Sequence, residues 1–137
     1  MKTIHNHFRE IKSYLKVTLN SMDNYLIYAE NLTTHHLFNA NLNEKKQVLE
    51  KIYNKIQNIS EYSLFNIGKI TEIGKVLKYF YELHTDSLYD DAIIYSIGFN
   101  GYIDCIEGLS QGIEERKLNI VEYIDSKKRN IIKNNYF

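Results

Sequence analysis

Apolar residues near the start of the chain recur at steps of 4, 3, 4, 4, 3, 4 and 3: Ile4, Phe8, Ile11, Leu15, Leu19, Met22, Leu26 and Ala29. Those steps put all eight on one stripe of an α-helix, so the pattern predicts a helix of about seven turns. Its near-heptad spacing suits packing along another long helix at a shallow angle. Thr33 to Asn41 breaks the period and supplies turn-forming residues. Asn43 is then placed to cap a second helix, whose apolar face is Val48, Leu49, Ile52, Ile56 and Ile59. A short connection makes that helix antiparallel to the first. Ser60 to Lys69 is ambiguous, a kink or a short link ending near Gly68.

From Thr71 the helical period returns through Ile73, Val76, Leu77, Phe80 and Leu83. Ser87, with Asp90 three residues on, has the outline of a capping arrangement, and the carboxylate suits a helix N-terminus. The fourth helix carries Leu88, Ala92, Ile93 and Tyr95, crosses the glycine-containing stretch 96–102 and continues through Ile103, Ile106, Leu109 and Ile113. Two outcomes are open at Gly98 and Gly101: a bend, or one long helix with small residues where a neighbour lies close. After Lys117 the apolar positions alternate (Leu118, Ile120, Ile124), and the mixed tail 130–137 continues in that vein, so a short C-terminal β-hairpin is expected there. The fold class is all-α: an antiparallel bundle of about four helices. It is read as a single domain over residues 1–137, with a long helical hairpin (1–60), a helical core (61–116) and a strand-like tail (117–137).

Composition supports a globular chain, with 44% hydrophobic and 25% charged residues and no proline to break a helix. Seventeen basic residues balance seventeen acidic ones, so no overall field draws the molecule to nucleic acid. The charge is uneven, at +3 over 1–60, −6 over 61–116 and +3 over 117–137. A lone cysteine, no apolar leader and no apolar run of membrane-spanning length lead to the expectation of a cytoplasmic protein with no membrane partner. Asn, Ile, Lys and Tyr, all drawn from A/T-rich codons, make up 60 of the 137 residues, so many of them reflect the genome rather than a site.

The chemistry-bearing residues do not converge. His5 with His7, and His35 with His36, lack the helical i,i+3 or i,i+4 spacing of shared metal ligands and have no cysteine or carboxylate beside them. Cys105 lies in an apolar helical pattern with no base nearby and reads as a buried, inert thiol. Gly68-Lys69 and Gly74-Lys75 lack the Ser or Thr and the upstream glycine of a phosphate loop. Gly98-Phe99-Asn100-Gly101 has the outline of a nucleic-acid GxxG loop without its αβ setting. Close helix packing is the expectation for Gly98, Gly101 and Gly108, with Phe80 and Phe99 as packing residues. The carboxylates Asp86, Asp90 and Asp91 gather at a helix start, where the dipole explains them. Lys45, Lys46, Lys51 and Lys55 are the candidates for contact with a DNA backbone, against the plainer reading of a solvated helix face. No acid, base and nucleophile come together, so the expectation is a non-enzyme that needs no cofactor and no metal.

One stretch is more distinctive. Val76-Leu77-Lys78-Tyr79-Phe80-Tyr81-Glu82-Leu83, then Tyr95-Ser96-Ile97-Gly98-Phe99-Asn100-Gly101-Tyr102-Ile103-Asp104 and Ile106-Glu107-Gly108-Leu109, resembles the helical core and lever segment that precedes the ATPase domain in MutS-family proteins, above all their divergent, shortened forms from A/T-rich viral and bacterial genomes. The similarity covers residues 65–137, and residues 1–60 match only as long helices. The sequence holds no phosphate-binding loop, Walker-B acid or composite ATPase site. The resemblance therefore implies a non-catalytic lever module of a MutS-like mismatch-repair protein, coupling weak DNA contact to an ATPase located elsewhere. The alternative is a free-standing helical interaction or inhibitor protein of a phage or mobile element. That protein would act on a protein partner, and a homodimer is open to it.

Overall fold

The computed structural model describes residues 2–59 and 69–118. Among them the fold is all-α: α1 (Lys2–Ala29), a 3-10 turn (Thr33–His35), α2 (His36–Ile56), α3 (Lys69–Thr85) and α4 (Ser87–Glu114). The chain divides into two compact units, Met1–Gly98 and Phe99–Phe137. The expected β-hairpin falls in 119–137, outside the described residues.

All eight stripe residues of α1 are buried or half-buried, and the buried apolar ones, Phe8, Leu15, Met22 and Ala29, recur every seven positions. On α2, Leu42, Leu49 and Ile56 repeat the same step, with Ile52 between the last two. A strict seven-residue repeat keeps one seam facing one partner, the logic of a coiled coil. The helices run antiparallel, and three polar ties fix their register. The Lys12 ammonium donates to the Gln57 carbonyl at 2.6 Å, Lys46 meets Asp23 at 2.8 Å, and the Asn39 amide donates to the Ala29 carbonyl at 3.2 Å. In that register Leu15, Met22 and Ala29 fall level with Ile56, Leu49 and Leu42, which makes three stacked apolar layers.

The start of α2 differs from the expectation. The helix begins at His36 rather than at an Asn43 cap. His36 Nδ1 lies 3.2 Å from the Thr33 carbonyl, and burial of Leu42 together with the Asn39 tie to α1 favours helix over the turn that the local asparagines suggest. The cap of α4 also moves by one residue. Asp86, the single residue between α3 and α4, accepts the Leu88 amide on its side chain at 3.0 Å, while its own amide closes α3 on the Glu82 carbonyl at 3.0 Å. One aspartate thus ends one helix and starts the next. Within the first unit, α4 is seated by Tyr89, Ala92 and Ser96, all buried, and the Ser96 hydroxyl lies 2.8 Å from the Tyr14 hydroxyl of α1.

In the second unit the end of α4 has a Schellman geometry. The Arg116 amide bonds the Ile113 carbonyl at 3.0 Å and the Lys117 amide bonds the Gly112 carbonyl at 2.8 Å, with Arg116 at φ 57°. A side chain in that left-handed region carries a steric cost of about 1–2 kcal/mol that glycine avoids. Arg116→Gly is therefore expected to stabilise the end of the helix by roughly 1 kcal/mol. Slower hydrogen exchange of the 112–117 amides would show it, and faster exchange would refute it.

Candidate functional site

The four lysines proposed for phosphate contact do not share a face. At 100° per residue, Lys45, Lys46 and the Lys51–Lys55 pair point in three directions around α2, and the structure gives three of the lysines carboxylate partners. Lys45 meets Asp91 of α4 at 2.5 Å, Lys46 is held between Asp23 of α1 and Glu50 at 2.8 and 2.9 Å, and Lys55 meets Glu82 of α3 at 2.6 Å. Lys55 also lies 5.0 Å from the centre of the Tyr89 ring, within cation–π range. Lys51 alone of the four is exposed. These lysines are spokes tying α2 to the other three helices. A cation already neutralised by a carboxylate of its own chain releases few counterions on meeting DNA, so the proposed phosphate face reduces to Lys51.

Each ion pair shifts its members in the expected sense. The hydrogen bond to Asp91 raises the Lys45 ammonium, and those to Asp23 and Glu50 raise Lys46. The bond to Glu82, followed by the Tyr89 contact, raises Lys55, and Lys55 in turn lowers Glu82. Burial raises the Tyr95 hydroxyl, which has no hydrogen-bond partner. A carboxylate lowered in the folded state contributes stability that is present above its unfolded pKa, about 4.3, and lost as the pH falls through the folded value. The raised Lys55 contributes stability that is present below about 10.4 and lost above it. Glu82→Gln should therefore lower the urea midpoint at pH 7, and the gap from wild type should close as the pH is taken below about 4. A gap that stays constant down to pH 3 would remove the Lys55–Glu82 pair from the account.

No group of three or more His, Cys, Asp or Glu residues able to hold a metal occurs among the described residues. His5 is buried, His7 and His36 are exposed, and His35 is half-buried. Cys105, expected to be buried, is exposed. An open groove beside α1, lined by Ser13, Lys16, Asn20, Asp23 and Tyr53 among others, mixes charges and amides without a buried polar group that would fix a ligand.

The glycines require a correction. Close packing was the expectation for Gly98, Gly101 and Gly108, yet a Cβ at any of the three would meet no atom within 4 Å. All three are exposed helical positions. The position where a side chain would collide is Gly112, whose added Cβ would lie 2.7 Å from Leu118 Cδ1 at the turn that ends α4. Of the two aromatic packing residues, Phe99 is buried, and Phe80 is half-buried with its ring centre 4.3 Å from that of His84.

What the glycines do mark is a strip. Gly101, Cys105, Gly108 and Gly112 recur at steps of 4, 3 and 4 along the part of α4 that lies in the second unit. Beside this strip of small residues stand exposed large apolar side chains, Tyr102 (42% exposed), Ile106 (41%) and Leu109 (57%); in the first unit, Ile94 (61%) and Ile97 (60%) are exposed as well. No helix among the described residues is long and apolar enough to cross a membrane. The chain matches no protein-family model, no curated protein and no solved structure.

Proposed function

We propose that this chain is a non-catalytic helical interaction module that receives a protein partner on the outer face of α4. One observation carries this reading: within the second unit, Tyr102, Ile106 and Leu109 are exposed beside a heptad-spaced strip of Gly101, Cys105, Gly108 and Gly112. Small residues at that spacing leave a shallow groove in which a second backbone can come close, and the large neighbours form a ridge alongside it. Contiguous exposed apolar surface of this kind marks a protein contact in a well-behaved monomer. The MutS-like lever is the special case in which the partner is an ATPase domain, and what speaks for it is the sequence resemblance at 76–83, 95–104 and 106–109. DNA contact is the weaker part of that reading, because Lys45, Lys46 and Lys55 are occupied within the chain.

The test places a photoreactive residue at position 109 of the full chain in its source cells and maps the cross-linked peptides. The expected product is one protein, a second copy of this chain included, joined through a helical segment. It should be lost in an Ile106→Glu, Leu109→Glu variant whose melting temperature is unchanged. Equal labelling from a probe at Lys16 on α1, or cross-links to nucleic acid alone, would overturn the proposal.

A further inference from the structure

The part of α4 in the second unit presents three rows side by side. Gly101, Cys105, Gly108 and Gly112 form the central strip. At 100° per residue, Ile106, Leu109 and Ile113 stand about a quarter turn to one side of it, and Asp104, Glu107 and Glu114 about a third of a turn to the other. All six are exposed. The strip already takes one large apolar side chain, because Leu118 lies where a Cβ on Gly112 would come within 2.7 Å of its Cδ1. Gly101 and Gly108, seven residues apart, have nothing within 4 Å of where a Cβ would stand. They are open seats at the spacing with which a helix repeats one face.

The charges say which helix. All of α4, Ser87–Glu114, is without Lys, Arg or His. Among the described residues no salt bridge reaches Asp104, Glu107 or Glu114, whereas Glu115 just beyond them is taken by Lys117 at 2.5 Å. Glu114 also sits in the last turn, at the negative end of the helix dipole, where a carboxylate is disfavoured unless a cation meets it. We propose that the segment received on this face is a basic amphipathic helix, with its apolar side on the strip and ridge and its Lys or Arg row over Asp104, Glu107 and Glu114. The proposal rests on the reading of this face as a docking surface. A second copy is disfavoured, since its α4 brings the same carboxylates and no cation, and like charges repel across an interface.

Fluorescence anisotropy on the full chain tests it with two synthetic helical peptides that have leucine at heptad positions and differ only in the flanking row, Lys in one and Glu in the other. The Lys peptide should bind about ten-fold more tightly than the Glu peptide, with an affinity that falls as salt is raised. Asp104→Asn, Glu107→Gln, Glu114→Gln should weaken it about ten-fold and flatten the salt dependence. Removing as many charges from the first unit, by Glu10→Gln, Glu30→Gln, Glu44→Gln, should leave it unchanged. Gly108→Leu, which fills an open seat at an exposed helical position, should weaken the Lys peptide without lowering the melting temperature. Equal affinity for the two peptides, or indifference to Gly108→Leu, overturns the basic-helix inference while the photoreactive cross-link from position 109 still stands; failure of that cross-link removes both. Carbodiimide coupling of Glu107 in the free chain supplies the remaining outcomes. A bond to Lys127 or Lys128 of the same molecule gives the face to the chain's own C-terminal segment, a bond to a second copy gives it to a homodimer, and either overturns the inference.

Discussion

Leu15→Asp abolishes the cooperative unfolding of the chain, whereas Val17→Asp, two residues along the same helix, leaves it nearly unchanged. Leu15 is 0% exposed, in the middle of the α1 stripe and level with Ile56, and Val17 is 68% exposed. Removing a buried leucine side chain alone costs about 2–5 kcal/mol. A carboxylate in its place must also be desolvated without a partner or be protonated, which adds several kcal/mol more. A domain of this size has roughly 5–15 kcal/mol of total stability to lose, so the sum is enough to unfold it or bring it to the edge. At position 17 the same carboxylate stays in water, and a surface change of this kind falls within about 0.5 kcal/mol. Circular dichroism melting of both variants decides the matter. A Leu15→Asp curve matching that of Val17→Asp would mean that the α1–α2 seam is not the core.

The seam was legible in the sequence because it is local. Each of the eight apolar positions of α1 is set by helical periodicity alone, and every one is buried or half-buried. The start of α2 was not legible, because the asparagines at 39, 41 and 43 favour turns in isolation. What makes them helical is tertiary: Leu42 is buried and the Asn39 side chain closes on the Ala29 carbonyl. The lysines were half legible for the same reason. From the sequence, Lys45, Lys46, Lys51 and Lys55 read as a solvated helix face or as a contact for a DNA backbone. The anions that Lys45, Lys46 and Lys55 meet, Asp91, Asp23 and Glu82, lie 46, 23 and 27 positions away, and the fold alone brings them together. Glycine was the hardest to read. A glycine kept because a neighbour presses on it and a glycine left in open water have the same letter, and the Cβ environments at Gly98, Gly101 and Gly108 separate the two.

Ile52→Ala lowers the stability of the bundle by more than the loss of all three spoke lysines together. The geometry tempts one to the opposite view, since Lys46, Lys55 and Lys45 join α2 to α1, α3 and α4 at 2.8, 2.6 and 2.5 Å. The partners of those lysines decide against it. Asp23 and Asp91 keep more than half of their side-chain surface in water, and Glu82 keeps about a third, so water replaces each ammonium at little cost and salt screens what remains. Ile52 is 1% exposed on the helix that all the others touch. Cutting it to alanine leaves a cavity that the heptad layers on either side cannot close, at about 2–5 kcal/mol and a fall in melting temperature on the order of 10 °C. The comparison is between Ile52→Ala and a Lys45→Met, Lys46→Met, Lys55→Met variant, which keeps the aliphatic stems and removes only the charges. At low salt the triple variant should lose less than Ile52→Ala, and in roughly molar salt, where the screening length shrinks to about 3 Å, its deficit should nearly vanish while that of Ile52→Ala persists. A triple variant that melts below Ile52→Ala in both conditions would mean that paired charges, and not the buried seam, hold α2 in place.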